Sequence, residues 1–207
     1  MKQGFDRSGD ILLWSRPYME ERIRESCTEI EKKLKEQGVS MWKDLRGAVQ
    51  EVLARTADGQ EQNRKGKAAY LVCSFLQRSV YLNKLLLRLE IMDEGFYLDE
   101  RETAGCYRLQ MLEECYQEDL EFLHQKVCKE WIRVQNHELD EVDKEYTEYY
   151  NAVVSMIVQS VSGLLMDVVE ESEVRLADTF QIVYGQYMGN ATVVYARGKN
   201  EDGIFTD

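Results

Sequence analysis

The sequence predicts an all-α protein: a single bundle of five to six helices, several of them long and amphipathic, with a short irregular C-terminal tail. Among its 207 residues there is a single proline, Pro17. The thirteen glycines lie mostly between long periodic stretches, whereas sheet proteins need turn residues at about every 8 to 12 positions. Apolar residues also recur at helical spacing. A chain of this length can form one domain that buries roughly 70% of its unfolded surface. We therefore assign residues 1–188 to the helical bundle and residues 189–207 to a flexible or docking tail.

The first predicted helix follows Ser15-Arg16-Pro17, where a capping hydroxyl precedes a proline in the first turn. Its apolar stripe has a spacing of three and four residues and consists of Met19, Ile23, Cys27, Ile30 and Leu34. Gly38 is expected to end it. A second, shorter helix is predicted from Ser40 to about Asp58-Gly59.

The stretch QEQNRKGK (60–67) is predicted to be an exposed basic connection. Its basic patch consists of Arg55, Arg64, Lys65 and Lys67. Only one aromatic residue, Tyr70, lies nearby, and nucleic-acid binding by stacking needs more than one. We interpret the patch as a solvated loop.

A heavily apolar stretch from Lys67 to about Met92 predicts a helix covered on two faces, at the centre of the bundle. Asp93-Glu94-Gly95 is then a turn. Asp99 with Glu102 three places later forms a capping pair. The helix that follows is predicted from about residue 100 to at least 135, because it contains no proline and its apolar residues keep helical spacing.

Past a break at Asn136-His137, helical periodicity resumes as far as residue 169, and residues 152–169 are apolar on nearly every face. Eighteen residues is the lower limit for a membrane span. However, Gln159 and Asp167 interrupt the segment, and no Lys or Arg cluster flanks it. We expect a buried core helix, with an oligomer interface as the next alternative, and no membrane.

The last predicted helix covers residues 173–188. In the tail beyond it, Val193-Val194-Tyr195 is compatible with a short strand, a docking peptide or disorder. The chain itself does not decide among these three.

The net charge of -12 is unevenly distributed. Residues 1–92 carry 17 Lys and Arg against 13 Asp and Glu, and residues 93–207 carry 9 against 25. An acidic half disfavours nucleic-acid binding, because phosphates repel it. The five cysteines form no C-x-x-C pair and the first residues are too polar for a secretion signal. We therefore expect a cytoplasmic protein with reduced thiols.

The segment EFLHQKVC (121–128) contains the first candidate metal site. On a helix, His124 is adjacent to both Glu121 and Cys128, so the three side chains can share a zinc ion if a fourth ligand comes from elsewhere. On the helical wheel they flank the apolar stripe rather than occupy it. The alternative is a half-exposed histidine paired with a glutamate beside a semi-buried cysteine. No third group is identifiable that would orient Cys128 as a nucleophile.

Two acidic pairs, Glu118-x-x-Glu121 and Glu138-x-x-Glu141, form the second candidate. On facing helices they would hold Mg²⁺ through oxygen ligands and present it to a triphosphate. The spacing resembles that of all-helical nucleoside triphosphate pyrophosphohydrolases, whose pattern ends in Asp where this chain has Glu141. The alternative is that the four glutamates lie along the solvent-exposed surface of one continuous helix.

A third candidate is a set of tyrosines, Tyr146, Tyr149 and Tyr150, that lies among glutamates. Aromatic rings with a polar end suit a groove for a partner or ligand. At helical spacing they also suit the boundary of a core.

Two functional classes follow from these features. The first is a protein-interaction, adaptor or chaperone-like module without catalytic activity. It would bind a protein partner, or associate with itself, through apolar helix faces and would need no cofactor. The second is a Mg-dependent nucleotide pyrophosphohydrolase-like enzyme that uses the paired carboxylates. We favour the first, because the chain is poor in histidine and in glycine-rich loops.

Overall fold

The computed structural model describes residues 6–76, 84–95, 102–187 and 189–197. Within these ranges the elements are, in chain order, α1 Arg7–Glu61, β1 Ala68–Phe75, β2 Leu86–Asp93, β3 Thr103–Arg108, α2 Gln110–Glu130, α3 Asn136–Glu170, β4 Leu176–Gln186 and β5 Ala191–Ala196. The all-α prediction is therefore wrong, because a five-stranded sheet stands beside the helices and makes this an α/β protein.

The sheet is mixed, with strand order β3-β2-β1-β4-β5. The central strand β1 pairs antiparallel with β2 and parallel with β4. At Leu71, for example, the neighbours are Ile91 on β2 and Ile182 on β4. Both outer strands pair antiparallel with their inner neighbours, and the β4–β5 ladder has a register shift between Ile182 and Val183. β3 and β5 are the two edges.

The central helix predicted at 67–92 is wrong. Its first part is β1 and its last part is β2, and residues 77–83 between them lie outside the described residues. In β1, every residue except Tyr70 is buried. A strand buried on both faces shows no alternation, so its apolar run cannot be distinguished from a buried helix by periodicity.

Two further helix predictions are wrong at the strands, and one open alternative, a short strand in the tail, is decided. The helix predicted at 173–188 is β4, whose Phe180, Ile182 and Tyr184 belong to the β-branched and aromatic residues that strands prefer. The helix predicted from residue 100 begins only at Gln110, after β3. Of the capping pair predicted there, Asp99 lies outside the described residues. The tail segment Val193-Val194-Tyr195 lies in β5.

α1 is one helix where two were predicted, and Pro17 lies inside it. Proline removes the hydrogen bond to the carbonyl of Leu13, and both residues are exposed, so water can hydrate that carbonyl. Gly38 does not end the helix. A helical glycine costs only about 1 kcal/mol relative to alanine, and buried residues on both sides of it, Ile30 and Met41, continue the packed face.

The chain divides into two compact units. The first contains residues 6–39, 84–85 and 109–153 of the described chain, and its core comes from α1, α2 and the first half of α3. The second contains the sheet together with residues 40–61 of α1 and 154–170 of α3. In this unit α1 packs on the β3 end of the sheet, where Thr56 bonds Thr103 and the Tyr107 hydroxyl donates to the carbonyl of Met41.

α3 is long and apolar enough to cross a membrane by length and composition alone. Its most apolar 18-residue stretch has a mean hydropathy of 1.8, and half of that stretch is buried within the protein. Core helices of globular proteins have the same properties, so this feature is weak evidence for a span.

Candidate functional site

A buried carboxylate, Asp119 on α2, is the centre of a polar cluster in the first unit. Its side chain is 0% exposed. Arg22 Nε donates to Oδ1 at 2.6 Å, and Ser26 Oγ lies 2.8 and 2.7 Å from the two carboxylate oxygens. The hydroxyls of Tyr146 and Tyr150 both donate to Oδ2, at 2.7 and 2.8 Å. Both oxygens of the carboxylate are thus occupied.

Helical spacing explains how the donors converge. Arg22 and Ser26 are four residues apart on α1, and Tyr146 and Tyr150 are four apart on α3, so each pair lies on one helix face. The two faces meet at Asp119. A buried charge is tolerated only when it is paired and hydrogen-bonded, and this carboxylate has one cation and three hydroxyls.

The electrostatics of the cluster keep its protons in place. Burial raises the pKa of Tyr146 and of Tyr150, and the negative charge of Asp119 raises both further. For Arg22, burial lowers the pKa, but the hydrogen bonds and charges of Asp119 and Glu25 together outweigh it and the pKa is raised. Burial, with Glu31 and Asp119 nearby, raises the pKa of the Cys27 thiol. Arg22, Tyr146 and Tyr150 therefore keep the protons that they donate to Asp119 at neutral pH, and these bonds join α1, α2 and α3.

A second set of polar contacts includes the candidate His124. Its Nε2 lies 2.6 Å from Oδ1 of Asp143. Asp143 also accepts, through its backbone carbonyl, the hydroxyl of Thr147 at 2.6 Å. Because that bond uses the threonine hydrogen, Tyr116 is the donor in its 2.8 Å contact with Thr147. Burial, together with the nearby charge of Asp143, raises the pKa of Tyr116 to about 12.

The structure separates the members of the predicted zinc site by their partners. His124 is bound to Asp143, Glu121 accepts a bond from Gln125 at 3.2 Å, and Cys128 is exposed. Hydrogen bonding to Asp143 raises the pKa of His124, although burial acts in the opposite direction.

The four glutamates of the predicted magnesium site have different environments. Glu118 and Glu121 are exposed on α2, and Glu141 is exposed on α3 beside Lys144 at 2.7 Å. Glu138 is buried, pairs with Arg7 at 3.3 Å and accepts the backbone N–H of Gln135 at 2.7 Å, so it caps the start of α3.

In the parts of the chain that the structure describes, which contain all of these candidates, no three His, Cys, Asp or Glu side chains form a group that could hold a metal ion. Zinc and magnesium binding therefore remain predictions from spacing. Neither has a prearranged set of ligands here.

The three predicted patch tyrosines are close together but differ in accessibility. Tyr146 and Tyr150 are fully buried and point at Asp119. Tyr149 is half-buried, with its ring centroid 5.8 Å from that of Tyr146. A partner at this surface would therefore contact Tyr149.

The second unit contains a pocket of about 420 Å³ at the end of α1. Its lining residues are Arg55, Asp58, Gly59, Gln62, Arg64, Lys65, Glu102 and Thr103. Three members of the basic patch interpreted from sequence as a solvated loop thus share one cavity, and the fourth, Lys67, is exposed.

Sequence reasoning missed Asp119, Arg22 and Ser26. One signal was available: Asp119 lies three residues after Tyr116 and four before Leu123, inside the apolar stripe of α2. An acidic residue within an apolar stripe that packs into a core is rarely buried unless it has a partner, so its position indicates a buried polar contact. Its donors are 93 to 97 residues away for Ser26 and Arg22, and the sequence cannot reveal such pairings.

Comparisons with known proteins provide no family for this chain. A scan against family models, a search of curated proteins and a search of solved structures each found no match.

Proposed function

We propose that the protein is a non-catalytic interaction module that binds an extended, basic segment of a partner protein along the outer edge of β5. The observation that supports this is the character of that edge. β5, with the sequence ATVVYA, is an outer strand without a charged residue or a proline. Edge strands that must not pair usually have such protection.

The other edge of the sheet differs in this respect. Leu109 donates to the carbonyl of Leu85, so the alternation of the β2–β3 ladder turns the carbonyl of Ala104 outwards. Arg55 Nη1 donates to that oxygen at 2.9 Å. A side chain of α1 thus covers part of the β3 edge, whereas no such contact is made to the backbone of β5 in the described ranges.

The side chains at β5 also favour contact with a partner. Val193 is 49% exposed and Tyr195 is 38% exposed. An added strand would gain backbone hydrogen bonds from the edge and apolar contacts from these residues, which is the mode of β-strand addition.

The expected occupant is basic because the stretch of the second unit that contains β5 is acidic. Residues 154–207 carry 8 Asp and Glu against 3 Lys and Arg. Charge complementarity speeds association and disfavours another acidic chain, including a second copy of this one.

The test uses a fluorescent peptide of alternating valine and threonine flanked by lysines, with a proline-interrupted peptide of the same composition as the control. We expect anisotropy to show binding of the first peptide alone, and hydrogen exchange of residues 191–196 to slow. Val193→Lys puts a protective charge on the edge and should weaken binding at least tenfold.

Leu164→Lys is the matched variant, because Leu164 is 47% exposed on α3 in the same unit. It should leave peptide affinity unchanged. Equal loss in both variants would refute the β5 site. A wild-type dimer that Val193→Lys dissociates would instead show that the occupant is a second copy.

A further inference from the structure

We propose that the pocket at the end of α1 binds a small phosphate monoester that carries an amino or hydroxyl group. This inference uses residues remote in sequence from β5 and does not depend on the proposed strand addition. It rests on two guanidinium groups without carboxylate partners in one cavity, a carboxylate beside them, and a rigid frame.

Arg55 brings a charge that no described carboxylate neutralises. Its Nε donates to the carbonyl of Glu51 at 3.2 Å and its Nη1 to the carbonyl of Ala104 at 2.9 Å. Both acceptors are uncharged backbone oxygens. They fix the guanidinium at the pocket wall while its positive charge remains available to a ligand.

Arg64 is the second such cation. It is exposed, lines the same pocket and forms no ion pair with any residue the structure describes. Its planar fork suits the oxygens of a phosphate, which it can bind through two parallel hydrogen bonds. Lys65 adds a third charge to the wall. It is 7% exposed. Burial raises the pKa of nearby Glu90, and the positive charges of Arg88 and Lys65 oppose that rise.

Two carboxylates, Asp58 and Glu102, also line the pocket, and they differ in their partners. Glu102 is already bound to Arg88, at 2.6 Å. Asp58 is exposed and has no cationic partner in the described residues. It is therefore available to accept a hydrogen bond from an amine or hydroxyl on the ligand, and it selects a phosphate ester over a simple anion.

The frame of the pocket is fixed by its own hydrogen bonds. Asn63 adopts a left-handed φ of 51°, and Arg64 N donates to the carbonyl of Gly59 at 2.9 Å, which closes the end of α1. The amide of Gln60 donates to the carbonyls of Gly66 and Arg175 and accepts the backbone N–H of Arg175. Arg175 Nη2 also donates to the carbonyl of Gln60 at 2.7 Å. The helix-end carbonyls of Gly59 and Gln60 thus have partners, and the turn that carries Arg64 is held in place.

The volume also suits a small ligand. A pocket of about 420 Å³ lies within the range for small-molecule sites, roughly 300 to 1,000 Å³.

The experiment measures binding of inorganic phosphate, O-phosphoethanolamine and acetate to the full chain by calorimetry. We expect O-phosphoethanolamine to bind at least threefold more tightly than phosphate, and acetate at least tenfold more weakly than phosphate. Arg64→Gln should weaken both phosphate probes about tenfold, the effect of losing one charge-assisted contact. Asp58→Asn should weaken O-phosphoethanolamine and leave inorganic phosphate unchanged or tighter.

Lys67→Gln is the matched control, because it removes the same charge from the same connection outside the pocket. Its affinity should stay within twofold of the wild type. Equal loss in Lys67→Gln and Arg64→Gln would show diffuse attraction and overturn the site. The proposal also fails if no soluble phosphate probe binds, or if binding occurs only to phosphatidylcholine vesicles containing phosphatidic acid, since the ligand would then be a lipid surface.

Discussion

Asp119 joins three helices of the first unit through a single side chain. Asp119→Asn removes the charge that Arg22 and the two buried tyrosines face, while it keeps the shape. We expect the free energy of unfolding to fall by about 3 to 5 kcal/mol, because breaking a buried pair leaves the other charge uncompensated. Urea unfolding followed by circular dichroism measures this loss.

Glu118→Gln is the control for Asp119→Asn. Glu118 is the preceding residue on α2 and is exposed, so its neutralisation should change the free energy by less than about 0.5 kcal/mol. Similar losses in the two variants would mean that net charge, not the buried cluster, governs stability.

His124 makes the stability of the first unit depend on pH. Its pKa in the folded protein is raised above the ordinary histidine value, because it bonds Asp143 and faces Asp140, with burial opposing. A raised folded pKa means that this contribution is complete below the unfolded pKa and is lost as pH rises through the folded one.

We therefore expect the wild-type urea midpoint to be higher at about pH 6 than at about pH 8.5, with His124→Gln removing part of that difference. His137, which is exposed on α3, provides the control variant His137→Gln. If both variants keep the wild-type pH dependence, the His124–Asp143 pair does not contribute to it.

The residues of the polar cluster were only partly visible in the sequence. Tyr146, Tyr149 and Tyr150 were singled out together because of their spacing on one helix, and the structure brings them together. Their shared acceptor was not foreseen, since Asp119 is 27 and 31 residues from the two donors. Spacing predicts neighbours on one helix, but it carries no information about which helices pack.

At the scale of elements, helical spacing predicted α3 closely and α2 with a start about ten residues too early, but it turned β1, β2 and β4 into helices. The break at Asn136-His137 coincides with the start of α3. The apolar run in β1 could not be distinguished from a core helix, because burial on both faces removes the alternation that marks a strand. Strand pairing depends on contacts between distant segments, such as Leu71 with Ile182, that a local pattern does not encode.

Glycines give an element-scale prediction because their surroundings differ. A Cβ at Gly185 in β4 would collide with the backbone of Asn190 and Ala191 in the hairpin to β5. At Gly163 in α3, the only atoms of the described residues within 4 Å of that position belong to its chain neighbours and the adjacent helical backbone. We expect Gly185→Ala to destabilise the protein by about 1 to 3 kcal/mol, since backbone cannot move aside cheaply.

Gly163→Ala should stabilise the protein by about 0.5 to 1 kcal/mol through its helix propensity. Melting temperatures of the two variants measure both effects. A stabilised Gly185→Ala would show that the β4–β5 hairpin is not packed as described.

For the whole molecule, the net charge of -12 and the pI near 4.8 govern solubility. As pH falls from about 8 towards 5, the net charge approaches zero and repulsion between molecules weakens. We expect light scattering to rise steeply as the pH falls from about 6 to about 5. Added salt at about pH 8 should leave scattering low, and a flat profile down to the pI would contradict the prediction.

The unequal edges of the sheet also determine how far association can extend. If β5 of one molecule paired with β3 of the next, the contact would be heterologous and would repeat without closing, which is how filaments grow. Arg55, bound to the outward carbonyl of Ala104, obstructs that second edge. One open edge therefore permits the addition of a strand while the other prevents polymerisation.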